Sequence, residues 1–195
     1  MPYLAKQVGD IYGQNEGAVL EVGPFSGLSF ELARNNMGSS FIIALFPESI
    51  GDLLQDEVLR MGLQHEVTIR TTDERLSDIP SETFDLAIFR GAFFFPSFFK
   101  ADLSAVYRAL RPGGIALVGG GFGIYTPKNI IDSIGRRSAE LNRQLGRVHI
   151  EKEDLMIMLR SARLEQHSEI IEEGGLWVVL RRKAGTEDRI NRRDY

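Results

Sequence analysis

Residues 17–36, GAVLEVGPFSGLSFELARNN, hold the residue types and spacings of this chain best suited to chemistry. An apolar run ends near a carboxylate, Glu21. Gly23 and Gly27 bracket a short turn that carries Pro24 and Phe25, and a helical pattern follows from Leu28. Glycine admits backbone conformations closed to other residues and lets a ligand approach the main chain. The helix behind it offers unpaired N–H groups and a positive dipole end, both suited to an anionic group. The dinucleotide-binding spacing G-x-G-x-x-G is not met, because Phe25 stands where the second Gly would be and would crowd a pyrophosphate. The turn therefore suits a ligand whose anionic end is small, such as an amino-acid carboxylate.

The elements that must position this turn follow from two alternating periods. Short β-branched or aromatic runs occur at 18–22, 41–46, 66–70, 84–89 and 115–120. Between them lie helical patterns: Leu28, Phe30, Leu32 and Ala33; then Ile50, Leu53, Leu54, Val58 and Leu59, stopping at Gly62; then Leu103, Val106, Tyr107 and Leu110, stopping at Pro112. Strand–helix alternation implies a parallel sheet covered on both faces, and the strands read as near-continuous apolar runs, as such strands should. Two further strand-like segments flank Glu172-Glu173-Gly174-Gly175 and read as an antiparallel hairpin. Residues 184–195 have little to bury and are expected to fray.

Composition narrows the function. The 195 residues are 43% hydrophobic and 26% charged, ordinary values for one soluble globular domain. No run of about 20 apolar residues is present. The N-terminus MPYLAKQVGD lacks the regions of a secretory signal, so the expected location is the cytoplasm, with no membrane partner. The chain has no cysteine, which excludes disulfides, thiolate metal sites and cysteine nucleophiles. His65, His149 and His167 are far apart in sequence and give little support for a metal site. A net charge of −4 argues against bulk affinity for nucleic acid.

Four segments, in order, carry a resemblance. EVGPFSG (21–27) resembles the first motif of class I S-adenosylmethionine-dependent methyltransferases. Residues 71–95, TTDERLSDIPSETFDLAIFRGAFFF, are similar to the family's stretch in which an acidic residue near the adenine precedes the fourth strand. Residues 103–121 resemble its fifth helix and strand, joined by Leu-x-Pro-Gly-Gly, and the terminal hairpin matches the family's antiparallel strand pair. The resemblance covers about 16–122 plus 164–183. It implies a three-layer Rossmann-like α/β fold with a seven-stranded mixed sheet in the order 3-2-1-4-5-7-6, S-adenosylmethionine as cofactor, and methyl transfer to an acceptor.

Carried over residue by residue, Glu21 would orient the methionine amino group, and Gly23, Pro24, Phe25 and Gly27 would pass close to the methionine and ribose. Leu45 and Phe46 end the second strand beside the ribose. Asp73 and Glu74 would face the adenine, and Arg90 and Gly91 would meet the sulfonium at the end of the fourth strand. Other readings stay open beside these. Glu21 also suits a cap on the helix after the turn, Asp73 a turn cap before Arg75, and Arg90 a framework residue paired with Asp85 or a carbonyl.

Two positions depart from the family pattern. Phe25 replaces its middle glycine, and Leu45 stands where a carboxylate commonly accepts from both ribose hydroxyls; Glu48 could reach back or be a first-turn helix carboxylate. Losing such a charge-assisted bond costs about 1.5–3 kcal/mol. The competing reading is accordingly a non-catalytic relative that binds the cofactor, or a protein partner, through the same cleft. A dinucleotide oxidoreductase is disfavoured by Phe25 and the hairpin.

The acceptor is less legible. No Asn/Asp-Pro-Pro-aromatic tetrad follows the fourth strand; AFFFPSFF stands there, with five phenylalanines for core or pocket wall. Residues 123–150 form an insertion with an amphipathic pattern, Ile130, Ile131, Ile134, Ala139, Leu141 and Leu145, and a basic set including Lys128, Arg136, Arg137, Arg143 and Arg147. It suits a cover over an anionic acceptor, or a solvated face. Tyr125, His149 and Glu151 are the candidate bases. The expectation is a single domain, 1–195, with core 16–122 and 151–183. The acceptor is expected to be a small molecule rather than nucleic acid, and homodimerisation is left open.

Overall fold

A computed structural model of the chain describes residues 1–185; the expected fraying of 186–195 lies outside the described residues. Seven strands form one sheet in the order β3-β2-β1-β4-β5-β7-β6. They are β1 (Ala18–Val22), β2 (Ser40–Leu45), β3 (Val67–Thr71), β4 (Phe84–Arg90), β5 (Leu110–Gly120), β6 (Ser168–Ile171) and β7 (Leu176–Arg181). β1 to β5 run parallel, and β7 is antiparallel to both β5 and β6. The fold class, strand order and terminal hairpin agree with the sequence reading.

The helices are α1 (Pro2–Tyr12), α2 (Leu28–Arg34), α3 (Gly51–Met61), α4 (Leu103–Ala109), α5 (Lys128–Gln144) and α6 (Lys152–Ser161). Two apolar layers flank the sheet. One gathers α4, α6 and Phe93, Phe94, Phe95 and Phe99 against Phe84, Ala87 and Phe89; the other gathers α1, α2 and α3 against Ile43, Ile88 and Trp177. Central strands buried on both faces explain the continuous apolar runs: β4 is buried from Phe84 to Phe89. None of the described helices is long and apolar enough to cross a membrane.

The structure adds two features that the sequence reading did not include. α1 buries Leu4, Ala5, Val8 and Tyr12 and ends at Gly13 in the left-handed conformation. β5 begins at Leu110, five residues before the run read as a strand, because Leu110 already pairs with Phe84 across an irregularity that precedes the Leu86–Ile115 register. Asp85 ties this region together: it accepts from Ala18 N at 2.8 Å and pairs with Arg111. Burial beside Asp85 pushes the Tyr12 phenol up to about 12.

Candidate functional site

The carboxyl ends of β1, β2 and β4 meet at the turn after β1. Glu21, fully buried, fixes that turn. Its Oε1 accepts from Gly27 N and Leu28 N, both at 2.9 Å, and its Oε2 accepts from Ser29 N at 2.8 Å. α2 has no cap from its own N-cap residue, so Glu21 supplies one from the strand. The unpaired helix N–H groups expected from the sequence are therefore, at residues 27–29, occupied by the protein's own carboxylate. Gly23, at φ 89°, leads the chain out of β1; a β-carbon there would meet the Phe89 ring at 2.7 Å. Its carbonyl accepts from Ser26 Oγ at 2.7 Å, and Pro24 beside it is half-buried.

Phe25 turns across the sheet end and packs on Phe95, ring centroids 4.7 Å apart. Beneath it lies Gly91, at φ 73°, where a β-carbon would overlap the Phe25 ring. Arg90, just before it, donates from Nη1 to the Phe25 carbonyl at 3.1 Å and to Met1 Sδ at 3.2 Å. Burial draws its guanidinium below the usual arginine value, opposed by the Glu21 charge. Arg90 is thus bound to a carbonyl, and Asp85 is paired with Arg111 instead.

The β2 side is apolar. Leu45 is fully buried, and Phe46 is buried against Phe89 and Phe99, centroids at 6.0 and 5.5 Å. Phe99 also stacks on Phe89 at 5.7 Å and approaches Phe25 at 6.4 Å. Phe99, from the β4–α4 connection, thereby fills the middle of the strand ends. Glu48 is exposed. Asp73 closes a local turn: Oδ1 accepts from Ser77 N at 2.9 Å and Arg75 N at 3.1 Å, and Oδ2 accepts from Ser77 Oγ at 2.7 Å. These bonds, the Ser77 hydroxyl foremost, hold its carboxyl below the ordinary aspartate value. Glu74 accepts from Lys100 N at 3.1 Å, fastening the β3 and β4 loops to one another.

The insertion becomes α5 with flanking loops. Its return is fixed by Val148 N donating to the Phe94 carbonyl at 2.8 Å. Between α5 and the ends of β4 and β5 lies a cleft of about 380 Å³, whose walls include Phe25, Arg90, Gly91, Phe94, Asn142 and Arg147. A second cavity of about 380 Å³ adjoins it, sharing Phe94, Phe122 and Arg147, and reaches His149. Tyr125 lies elsewhere: its hydroxyl donates to Asp10 at 2.5 Å and Lys6 covers its ring. His149 stands 3.4 Å from Glu151, whose main task is the capping box of α6 with Asp154.

The structure places Glu21, Gly23, Phe25, Arg90 and Gly91 together around the ends of β1 and β4, and Asp73 and Glu74 just beyond the end of β3. The sequence reading missed Phe99 as the residue that occupies the centre, and Met1 and Asn142 as neighbours of the site. Phe99 had a faint signal as one of five phenylalanines, but nothing local distinguished it from the others.

Comparison with known proteins bears on the fold. No protein-family model matches the chain, and no curated protein matches it. Solved structures do. A protein of Methanococcus maripaludis, provisionally assigned as an S-adenosyl-L-methionine-dependent methyltransferase, superposes with a TM-score of 0.73 at 25% identity, over 95% of this chain and 85% of its own. The chain has the class I methyltransferase fold. SibL, an S-adenosylmethionine-dependent methyltransferase, shares that fold at a TM-score of 0.65 and 20% identity, over 93% of this chain and 54% of its own. So does the cyclase SpnF, at 0.61 and 18%, over 88% of this chain and 59% of its own. The chain spans a little over half the length of these last two, and at such identities they speak for the fold alone. A cyclase among the likenesses shows that the methyltransferase fold does not by itself fix the reaction.

Proposed function

We propose that this chain binds S-adenosylmethionine at the carboxyl ends of β1, β2 and β4 and transfers its methyl group to a small-molecule acceptor beneath α5. One observation carries the reading. Phe25, Arg90 and Gly91 belong both to the strand ends, where ligands of open α/β sheets bind, and to the wall of the α5 cleft. A cofactor at the first and an acceptor in the second would meet at the end of β4. The likeness to the Methanococcus maripaludis protein supports the same assignment.

The residues fit this cofactor at one end and resist it at the other. Gly23, Gly27 and the end of β4 would hold the methionine portion, with Glu21 keeping the turn in shape. At the adenosine end, Phe99 packs edge-on against Phe46, centroids 5.5 Å apart at an interplanar angle of 69°, and leaves no slot for a further ring. Adenine would need Phe99 to swing out. Leu45 offers the ribose no carboxylate, so its hydroxyls would turn to main chain, water or Glu48.

When bound, S-adenosylmethionine supplies an electrophilic methyl: the acceptor's lone pair forms the new bond while the carbon–sulfur pair leaves to sulfur. The chain's own task is then placement. Phe25, Phe94 and Phe95 exclude water from the cleft, and Arg90 holds the β1 turn through the Phe25 carbonyl. Among the described residues lining the cleft none is a carboxylate, lysine or tyrosine, which favours an acceptor nucleophile that needs no strong base; His149, lining the adjoining cavity, is a titratable base candidate. In this reading the domain is single, with core 16–122 and 151–183 and an acceptor cover at 123–150.

Phe99 and Leu45 favour a second reading, a non-catalytic domain with a permanently closed adenosine side. Calorimetric titration with S-adenosylmethionine separates the two. Micromolar binding, weakened by Gly23→Val, supports the enzyme; no binding up to millimolar cofactor leaves the non-catalytic reading.

A further inference from the structure

We propose that the cleft beneath α5 takes an anion with an apolar or aromatic body, its acid group held by the guanidinium groups of Arg147 and Arg90. Identifying that anion as the methyl acceptor rests on the function proposed above; the anion site itself does not.

Charge is the first argument. The chain carries 27 acidic and 23 basic residues, yet the described residues lining the cleft and its adjoining cavity include two arginines and no Asp, Glu or Lys. Among the described lining residues a ligand cation would find no carboxylate, and an anion would find two guanidinium groups.

The state of the two arginines is the second. Arg147 is seated by its own backbone, which donates to the Asn142 carbonyl at 2.8 Å, and by the neighbouring Val148–Phe94 bond. Its guanidinium lies over the Phe94 ring at 4.8 Å. Among the described residues it forms no salt bridge. Stacking on an aromatic face leaves the guanidinium edge free to donate, and that fork matches a carboxylate in two parallel hydrogen bonds. Arg90 is the complement from below. Only its Nη1 is engaged, with a carbonyl and a thioether, and it likewise forms no salt bridge among the described residues. Arg90 is partly buried, feels the Glu21 charge without contacting it, and has Nη2 and Nε left to donate to an incoming anion, while Arg147 is exposed at the mouth of the cleft.

Shape supplies the third argument. Phe25, Phe94, Phe95 and Phe122 wall a space of about 380 Å³ over a floor of Gly120 and Gly121. A volume of this order suits a small organic molecule. A polynucleotide would instead need a run of cationic contacts along the surface. Asn142 and Ser138 on α5 add polar contacts above the floor.

The test uses phenylacetate and phenylacetamide as probes, closely matched in size, the first anionic and the second neutral. Each is titrated at constant ionic strength into the full chain and its Arg147→Ala and Arg147→Lys variants by ligand-observed NMR, with S-adenosylhomocysteine titrated in parallel. The carboxylate is expected to bind about ten-fold more tightly than the amide, as a charge-assisted pair does. Arg147→Ala should abolish the difference, and Arg147→Lys should keep part of it. Equal binding of acid and amide, binding of neither, or a preference indifferent to Arg147→Ala would overturn the proposal. Failure of S-adenosylhomocysteine to bind while the preference holds would remove the methyl-transfer reading and leave the anion site standing.

Discussion

The Phe25 ring rests on Gly91, so closely that a β-carbon at residue 91 would overlap its Cδ2 and Cε2. This contact joins the turn after β1 to the end of β4 and sets the height of the ring above the sheet. Residue 91 has φ 73°, a conformation that costs other residues about 1–3 kcal/mol. Gly91→Ala is therefore expected to destabilise the fold by at least this amount, read in urea unfolding. It should also lift Phe25 and weaken ligand binding at the strand ends.

Glu21 spends both oxygens on the N–H groups of residues 27, 28 and 29. Glu21→Gln keeps the shape but turns an amide NH₂ toward an N–H donor, leaving a buried donor unmatched. A loss of about 1–3 kcal/mol is expected in denaturant titration. Loss of the turn should reduce S-adenosylhomocysteine affinity as well. An unchanged midpoint would mean that the cap contributes nothing.

Phe99 offers the opposite pairing of effects. Phe99→Ala removes a buried ring from among Phe25, Phe46 and Phe89 and is expected to cost about 3–5 kcal/mol. The same change vacates the adenosine side, so affinity for S-adenosylhomocysteine should rise and the ligand should restore part of the lost stability. Calorimetry and thermal melts on one preparation read both. Destabilisation without any gain in binding would show that Phe99 does not stand in the ligand's way.

Asp73 carries a pH dependence. Its carboxyl is held below the ordinary value of 3.8 in the folded chain, first by the Ser77 hydroxyl. A depressed folded value means that its contribution is present above 3.8 and fades as pH falls through the folded value. The melting-temperature gap between the chain and Asp73→Asn should accordingly be constant from neutral pH down to about 5 and narrow in stronger acid. A gap that widened on acidification would contradict the assignment.

The sheet was legible because its signals are local. Alternating apolar runs and helical periods give a parallel sheet, and Gly174-Gly175 marks the reversal between β6 and β7. α1 is missing from the sequence reading although Leu4, Ala5, Val8 and Tyr12 recur at helical spacing between Pro2 and Gly13; only their partners, in the layer containing Trp177, need the structure. At the site, residue types were legible and engagements were not. Glu21 reads equally well as a ligand partner or a cap, and only the arrival of residues 27–29 at its oxygens decides which. Phe99 meets Phe25 and Phe46 across more than fifty residues of chain from an irregular connection, and no periodicity encodes such a contact.

The most direct measurement is a crystal structure of the chain grown with millimolar S-adenosylhomocysteine. The methionine portion is expected beside Gly23 and Gly91, and the adenine against Phe46 with Phe99 swung away. Phe99 unmoved with the strand ends still closed, or the ligand bound elsewhere, would contradict that placement.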